Sequence, residues 1–277
     1  MGTSPYPRVR CLASAVTRYA FCVLGVLLAL FVAFPLIVLV PSSLNQSRLL
    51  EWPRTGLTLE WYESVFGSVA WLRAFATSTA VASLAALVST VIGAGAACRV
   101  YGWRPSLRFL AEALFLSPLA VPVVSLALGM YICLVKVGLA DTMLGLIGAH
   151  CVLCIPLTFG LVAASLARRQ PFLEEAALNL GASRMQVWLM VTLPSARNAV
   201  LASLLLSFAV SFTEVVVVIF LTDTRVTTLS KELWDGMRFE ISPVVAAVSV
   251  VTMVVAVPIV VLFDILATKA LAPRYKQ

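Results

Sequence analysis

Residues 168–194 read Arg168-Arg169-Gln170-Pro171-Phe172-Leu173-Glu174-Glu175-Ala176-Ala177-Leu178-Asn179-Leu180-Gly181-Ala182-Ser183-Arg184-Met185-Gln186-Val187-Trp188-Leu189-Met190-Val191-Thr192-Leu193-Pro194. Pro171 suits the opening of a helix, because its missing N–H would be unpaired in the first turn anyway. Glu174 and Glu175 fall in that turn, where the helix dipole favours negative charge. Leu173, Ala176, Ala177 and Leu180 recur at i, i+3, i+4 and i+7 and make one apolar stripe. Gly181 is placed to end the helix in a left-handed cap. Ser183 is placed to cap a second helix carrying Met185, Trp188, Leu189 and Thr192, which Pro194 is expected to end. Ala176, Ala177 and Gly181 leave a shallow surface open to close approach. From the residues alone, the segment is either a seat for a soluble partner or an amphipathic stretch resting on lipid headgroups.

On both sides of this segment the chain is apolar. No charged residue lies between Arg18 and Arg48, Arg73 and Arg99, Glu112 and Lys136, Asp141 and Arg168, or Glu240 and Asp264. Each interval lets a helix rising ~1.5 Å per residue cross a ~30 Å hydrocarbon core. A further apolar run over 198–222 contains one acid, Glu214. The runs are continuous and do not alternate, so helices are expected rather than barrel strands. The expected spans are 19–42, 74–98, 110–135, 142–166, 198–222 and 243–266. The loop over 167–197 joins spans four and five. Residues 1–18 form a terminal segment, 19–270 the membrane domain and 271–277 a tail.

Composition agrees. Of 277 residues, 61% are hydrophobic and 12% charged, about half the charged fraction of a soluble domain. That excludes an ordinary soluble fold, a disordered chain and a large soluble catalytic domain beside the spans. The first span follows Arg8, Arg10 and Arg18, as a signal peptide would. Its apolar stretch exceeds the usual ~7–15 residue core, so it is read as an uncleaved span. The six cysteines are scattered through apolar stretches and do not form a disulfide framework.

The net charge of +7 needs no nucleic acid to explain it. With the N-terminus inside, thirteen of the twenty Lys and Arg fall on the cytoplasmic side, as the positive-inside rule requires. Both termini and the 167–197 loop are then cytoplasmic.

The loop also resembles a known family. The pattern E-A-A-x3-G-x9-I-x-L-P marks the permease subunits of bacterial binding-protein-dependent ABC importers. Here it runs Glu175-Ala176-Ala177, Gly181, Val191-Thr192-Leu193-Pro194, with Val in place of Ile. Thr58-Leu59-Glu60-Trp61-Tyr62 with Phe66, Gly93 with Ala96-Ala97, Ser211 to Val216 and Ile241-Ser242-Pro243 are similar to the spermidine/putrescine-type branch. Ser230 stands where that branch often has Pro after Thr228-Leu229. The resemblance covers roughly residues 58 to 268.

It implies an all-α membrane protein of about six spans with the MetI-like permease fold, in the bacterial inner membrane. It implies that Glu175, Ala176, Ala177, Gly181, Leu193 and Pro194 belong to a coupling helix docking on an ATPase. The implied partners are a dimer of ATP-binding subunits, a second and related permease chain in a heteromeric complex, a periplasmic binding protein and membrane lipid, but no nucleic acid. The implied substrate is a polyamine or similar small polar solute, with aminophosphonate, opine and ferric iron as alternatives.

The chain has no G-x-x-x-x-G-K-S/T phosphate loop and no H-E-x-x-H. ATP hydrolysis is therefore expected on a partner, with no catalytic residue, metal site or cofactor on this chain. His150, Cys151 and Cys154 sit in apolar span four and are read as structural. Two groups of residues are candidates for the translocation path. Glu214 is costly inside a span, and either meets a cationic substrate or fixes helix packing. Pro118 and Pro122 should bend or break span three, which either shapes a cavity or is an ordinary feature of a span. Two rivals remain on residue evidence: an ion-coupled secondary transporter, which predicts more intramembrane charge, and a non-transporting scaffold, which has no need of the loop.

Overall fold

The computed structural model describes residues 7–47, 56–167, 172–239 and 243–271. Pro171, the Arg168-Arg169 pair, Ile241-Ser242 and the 272–277 tail lie outside the described residues.

The first helix, α1 (Pro7–Ser42), is 36 residues long, about 54 Å at ~1.5 Å per residue. No side chain in the apolar window of its Tyr19–Ser42 portion is buried, and its main contact within the chain is with the last helix. A helix so apolar and so uncovered is stable only where hydrocarbon, not water, surrounds it. Beyond it the chain turns back through an isolated antiparallel bridge, Asn45 to Leu57. The helix α2 (Glu60–Gly67) then locks that turn. Trp61 Nε1 donates to the Asn45 carbonyl at 2.7 Å, and Ser43 Oγ meets the Tyr62 hydroxyl at 2.7 Å. Trp61 and Tyr62, which carried part of the family resemblance, thus hold the end of α1 in place.

Four long helices make the central bundle: α3 (Val69–Tyr101), α6 (Met143–Ala167), α9 (Leu193–Thr213) and α12 (Pro243–Leu271). Their mutual contacts are the most extensive in the fold. The buried faces are built from small residues, including Ala82, Ala85, Ala94 and Ala97 on α3 and Ala196, Ala199 and Ala202 on α9. Lipid offers no hydrophobic gain for helix association, so close backbone approach has to supply the packing energy. At Gly93 the approach is tight: a Cβ there would lie 2.8 Å from Thr158 Cβ and 3.0 Å from the Ile155 carbonyl oxygen.

Two of the six expected spans are broken, one of them the span that contains α9. The run expected at 110–135 is α4 (Pro105–Leu116), a 3-10 turn (Ser117–Ala120) and α5 (Val123–Lys136). The two parts meet at 99°. The run expected at 198–222 is α9 and then α10 (Val216–Leu221), separated by two non-helical residues. A single rod through Glu214 is therefore incorrect, because the backbone at Glu214 is extended rather than helical. The outer halves α5 and α10 pack on each other, through Ala127, Val217 and Leu221.

The expected stop at Pro194 is also corrected. The helix α8 (Arg184–Val187) runs through a π turn (Trp188–Thr192) into α9, one helical rod from Arg184 to Thr213. Pro194 cannot donate to the carbonyl four residues back. The π turn, in which the Leu193 N–H reaches the Trp188 carbonyl, absorbs that lost register. Ser195 Oγ adds a bond to the Val191 carbonyl.

At the α5–α6 corner, Gly138 takes φ +72. A Cβ on Gly145 would run into the Leu139 carbonyl oxygen, so backbone, not a flexible side chain, would have to move. Gly148, one turn on, has nothing within 4 Å of a Cβ. Gly145→Ala should destabilise the chain by about 1–3 kcal/mol, while Gly148→Ala should be neutral or slightly stabilising. Thermal unfolding of both variants in detergent checks this, and equal midpoints would refute the close approach.

Candidate functional site

Two regions hold the residues singled out in the sequence. They lie at opposite ends of the Arg184–Thr213 rod.

The first is the loop. Its first helix, α7 (Phe172–Asn179), ends where expected. Gly181 takes φ +88, the Ala182 N–H bonds the Ala177 carbonyl at 3.1 Å, and the Gly181 N–H bonds the Leu178 carbonyl at 3.0 Å. This paired closure satisfies two carbonyls that the helix leaves open, and it needs a left-handed residue, which glycine supplies without strain. Ser183 caps α8: its hydroxyl accepts from the Gln186 N–H, and its own N–H donates to Gln186 Oε1 at 2.8 Å. The two helices are tied at one further point, where Thr192 Oγ1 donates to Glu174 Oε1 at 2.7 Å. Of the two glutamates in the first turn, Glu174 therefore fixes the loop to the rod, while Glu175 stays exposed. The sequence did not distinguish them.

Among the described residues, nothing buries the two leucines of the α7 stripe. Leu180 is 89% exposed and Leu173 58%. Met185, Leu189 and Met190 on the following turns are exposed as well. Ala176 and Ala177 are half-buried and Leu193 half-buried, while Pro194 is exposed at the base of the rod.

The second region is where the spans break. Glu214 is not inside a helix. Its backbone is extended, φ −68 and ψ 126. Its side chain turns forward, and Oε1 accepts the N–H groups of Val216 at 2.8 Å and Val217 at 3.1 Å. A break in mid-span leaves donors and acceptors without water, so each must find a partner in the protein. Glu214 satisfies the two leading donors of α10. Ser230 Oγ donates to the Phe212 carbonyl at 3.1 Å and satisfies an acceptor of α9. Phe212 anchors the end of α9, buried edge-on to Phe75 and stacked with Phe208. The residue at the end of one helix thus also caps the next, and its other carboxylate oxygen has no hydrogen-bond partner among the described residues. Pro118 and Pro122 sit in the companion break: Pro118 is in the 3-10 turn, and Pro122 directly precedes α5. Because α5 packs on α10, the two breaks belong to one substructure.

Deeper in the bundle, His150 is buried on α6, with Nδ1 2.6 Å from Ser211 Oγ. Cys154 Sγ bonds the Ser207 carbonyl and Thr158 meets Ser207 Oγ. These bonds join α6 to α9.

Sequence reasoning missed Asp141. Its N–H donates to the Leu221 carbonyl at 2.9 Å. Its carboxylate accepts from the N–H groups of Asp223 at 2.9 Å, Arg225 at 3.2 Å and Val226 at 3.3 Å. It therefore staples the α5–α6 corner to the segment leaving α10. Asp141 itself takes φ +54, a conformation Asp tolerates better than most residues. Nothing local marks such a residue, because its partners lie eighty or more positions away.

Over residues 89–276 the sequence matches the family described as binding-protein-dependent transport system inner membrane component. The chain is 27% identical over 240 residues to the spermidine/putrescine transport system permease protein PotC of Haemophilus influenzae, covering 86% of this chain and 93% of that one. It is 34% identical over 196 residues to a putative 2-aminoethylphosphonate transport system permease protein of Salmonella typhimurium, covering 69% and 72%. Its fold is similar to a chain of a bacterial ABC transporter that imports the polysaccharide alginate, with TM-score 0.73 and 16% identity over 94% of this chain and 98% of that one.

The Asp141 staple titrates. Partial burial raises its carboxyl, but the backbone N–H groups of Asp223, Arg225, Val226 and Thr224 together outweigh this and hold it below the ordinary 3.8. A depressed folded value means the staple's stabilisation is complete above 3.8 and is lost as the pH falls through the lower folded value. Asp141→Asn should lower the thermal midpoint at neutral pH. The gap from wild type should close below about pH 3.8, and a gap independent of pH would contradict the staple.

Proposed function

The chain belongs to the family of inner membrane components of binding-protein-dependent transport systems, and from that membership we propose that it forms half of the translocation path of an ATP-driven importer. It is a multi-pass membrane protein, seated on this reading in the bacterial inner membrane with the loop end of the bundle in the cytoplasm. A second, related permease completes the path. A dimer of ATP-binding subunits docks on the loops, and a periplasmic binding protein delivers substrate to the opposite face. This chain hydrolyses nothing and carries no cofactor.

The observation that carries the reading is the loop: α7, closed at Gly181 and bound by Glu174 to Thr192 of a continuous rod whose first turn Ser183 caps, presents an apolar surface that the described residues do not cover. Glu175, Ala176, Ala177 and Gly181 line that docking segment, and Leu193 and Pro194 form its junction with the rod. Closure of the ATPase dimer on ATP draws the loops together and opens the path outward, and hydrolysis resets it inward.

The substrate is a polyamine. The relatives named for spermidine and putrescine support this, as does an acid, Glu214, at a break in mid-span. The relative named for 2-aminoethylphosphonate supports a second candidate, which also carries an amine. Glu214, Pro118 and Pro122 are placed on the path by this proposal.

Two experiments on the reconstituted transporter test it. Among the described residues, no side chain or backbone beyond its chain neighbours lies within 4 Å of a Cβ on Gly181, so a bulky residue there meets chiefly what docks from outside, apart from the strain of a positive φ. Gly181→Trp should leave basal ATPase activity and lower uptake about ten-fold or more. Gly181→Asn, which tolerates the left-handed conformation, should retain most uptake. Normal uptake by Gly181→Trp would refute docking. Glu214→Gln keeps the acceptor for Val216 and Val217 but removes the charge. It should raise the KM for spermidine or putrescine several-fold with the fold intact, and unchanged kinetics would confine Glu214 to capping.

A further inference from the structure

The corner between α3 and α4 is used by neither the docking loop nor the helix breaks. It lies at the loop end of the bundle, where Val100 and Ala111 pack in one cluster with Leu166, Ala196 and Trp188. Three arginines stand there. Arg108 donates to Glu112 Oε1 at 2.8 Å and lies over the Tyr101 ring, so its charge is matched within the chain. Arg99 and Arg104 are exposed, and among the described residues neither has a carboxylate partner. Arg99 lies over the Trp103 ring, 5.8 Å from its centroid. Such stacking uses the face of the guanidinium and leaves its in-plane donors for an anion.

The surface beside these charges is apolar. Leu107, Phe109, Leu110 and Leu114 on α4 are all more than half exposed, and Trp103 is 39% exposed at the end of that face. In a membrane-spanning chain, an uncovered apolar face ending in Trp and Arg marks the depth at which hydrocarbon gives way to headgroups. We propose that Arg99 and Arg104 bind the phosphate of an anionic phospholipid, whose acyl chains lie along the Leu107, Phe109, Leu110 and Leu114 face. Charge complementarity and the apolar face together select this occupant. A free phosphate would satisfy the arginines and leave the face bare, whereas one lipid covers both.

Native mass spectrometry of the full-length chain, purified in detergent with the subunits that accompany it, tests the site. Wild type should retain at least one phosphatidylglycerol more than Arg99→Gln/Arg104→Gln, with a several-fold preference over phosphatidylcholine. Arg99→Lys/Arg104→Lys, which preserves the charge, should keep that preference, and it stands as the folded comparison if the Gln variant unfolds. Millimolar inorganic phosphate should not displace the lipid. Equal retention by wild type and the Gln variant, loss of preference in the Lys variant, or displacement by phosphate would overturn the proposal. Loss of an accompanying protein subunit from the Gln variant with lipid retention unchanged would overturn it as well, and would assign the corner to a protein contact.

Discussion

The structure depends on one constraint: in hydrocarbon, every backbone N–H and C=O must find its partner in the protein. Continuous helices meet most of it within themselves, which is why α3, α6 and α12 run for 25 residues or more, even past Pro156 and Pro258. The informative places are those where a helix is broken. At 214–215 the two leading donors of α10 go to the Glu214 carboxylate and an acceptor of α9 goes to Ser230. At 117–122 the proline rings remove donors rather than leaving them unpaired, and the Ser117 hydroxyl bonds the Leu114 carbonyl at 2.8 Å. A break that costs so many compensating side chains is a built feature of the fold.

Small residues make those breaks tolerable. The bundle of α3, α6, α9 and α12 is held by close backbone approach at Gly93 and by alanines along α3 and α9. Side chains between helices add hydrogen bonds, among them His150 with Ser211 and Thr158 with Ser207. Such bonds are worth about 1 kcal/mol each in a membrane, so no single one holds the bundle, and their number keeps it in one register. Against that rigid block, the short outer pair α5 and α10 is an attachment. It is joined to the block by the two breaks and by the α5–α6 corner, and it is stapled at its far end by Asp141.

Much of this was legible in the sequence, and the gaps have physical causes. The spans were legible because a charge inside hydrocarbon is costly, so charge-free intervals of the right length are a direct signal. The loop was legible because capping is local: Gly181 and Ser183 act on residues within five positions of themselves. Its motif also named the family that the match over residues 89–276 supports. The broken fifth span was not legible. Glu, Val and Val do not mark a helix end by propensity, and the break is stabilised by bonds that exist only once the break has formed. Pro194 misled in the opposite direction, since proline ends a helix only when nothing absorbs the lost register, and the π turn absorbs it. Asp141 marked only the edge of a charge-free interval, because its partners lie far along the chain.

These corrections change how the two regions relate. With a stop at Pro194, the loop would hang from the bundle by a flexible joint, and motion there would be lost before reaching the membrane interior. With a continuous rod it is not. The rod from Arg184 to Thr213 has 30 residues, about 45 Å at ~1.5 Å per residue. One end is fixed to α7 by Thr192 and Glu174, and the other stops at Phe212 and Glu214. A packed helix transmits displacement along its axis because its interior is close-packed and nearly incompressible. A displacement of the loop is therefore shared by the rod, by the helices packed along it and by the break at 214–215, where the backbone changes direction.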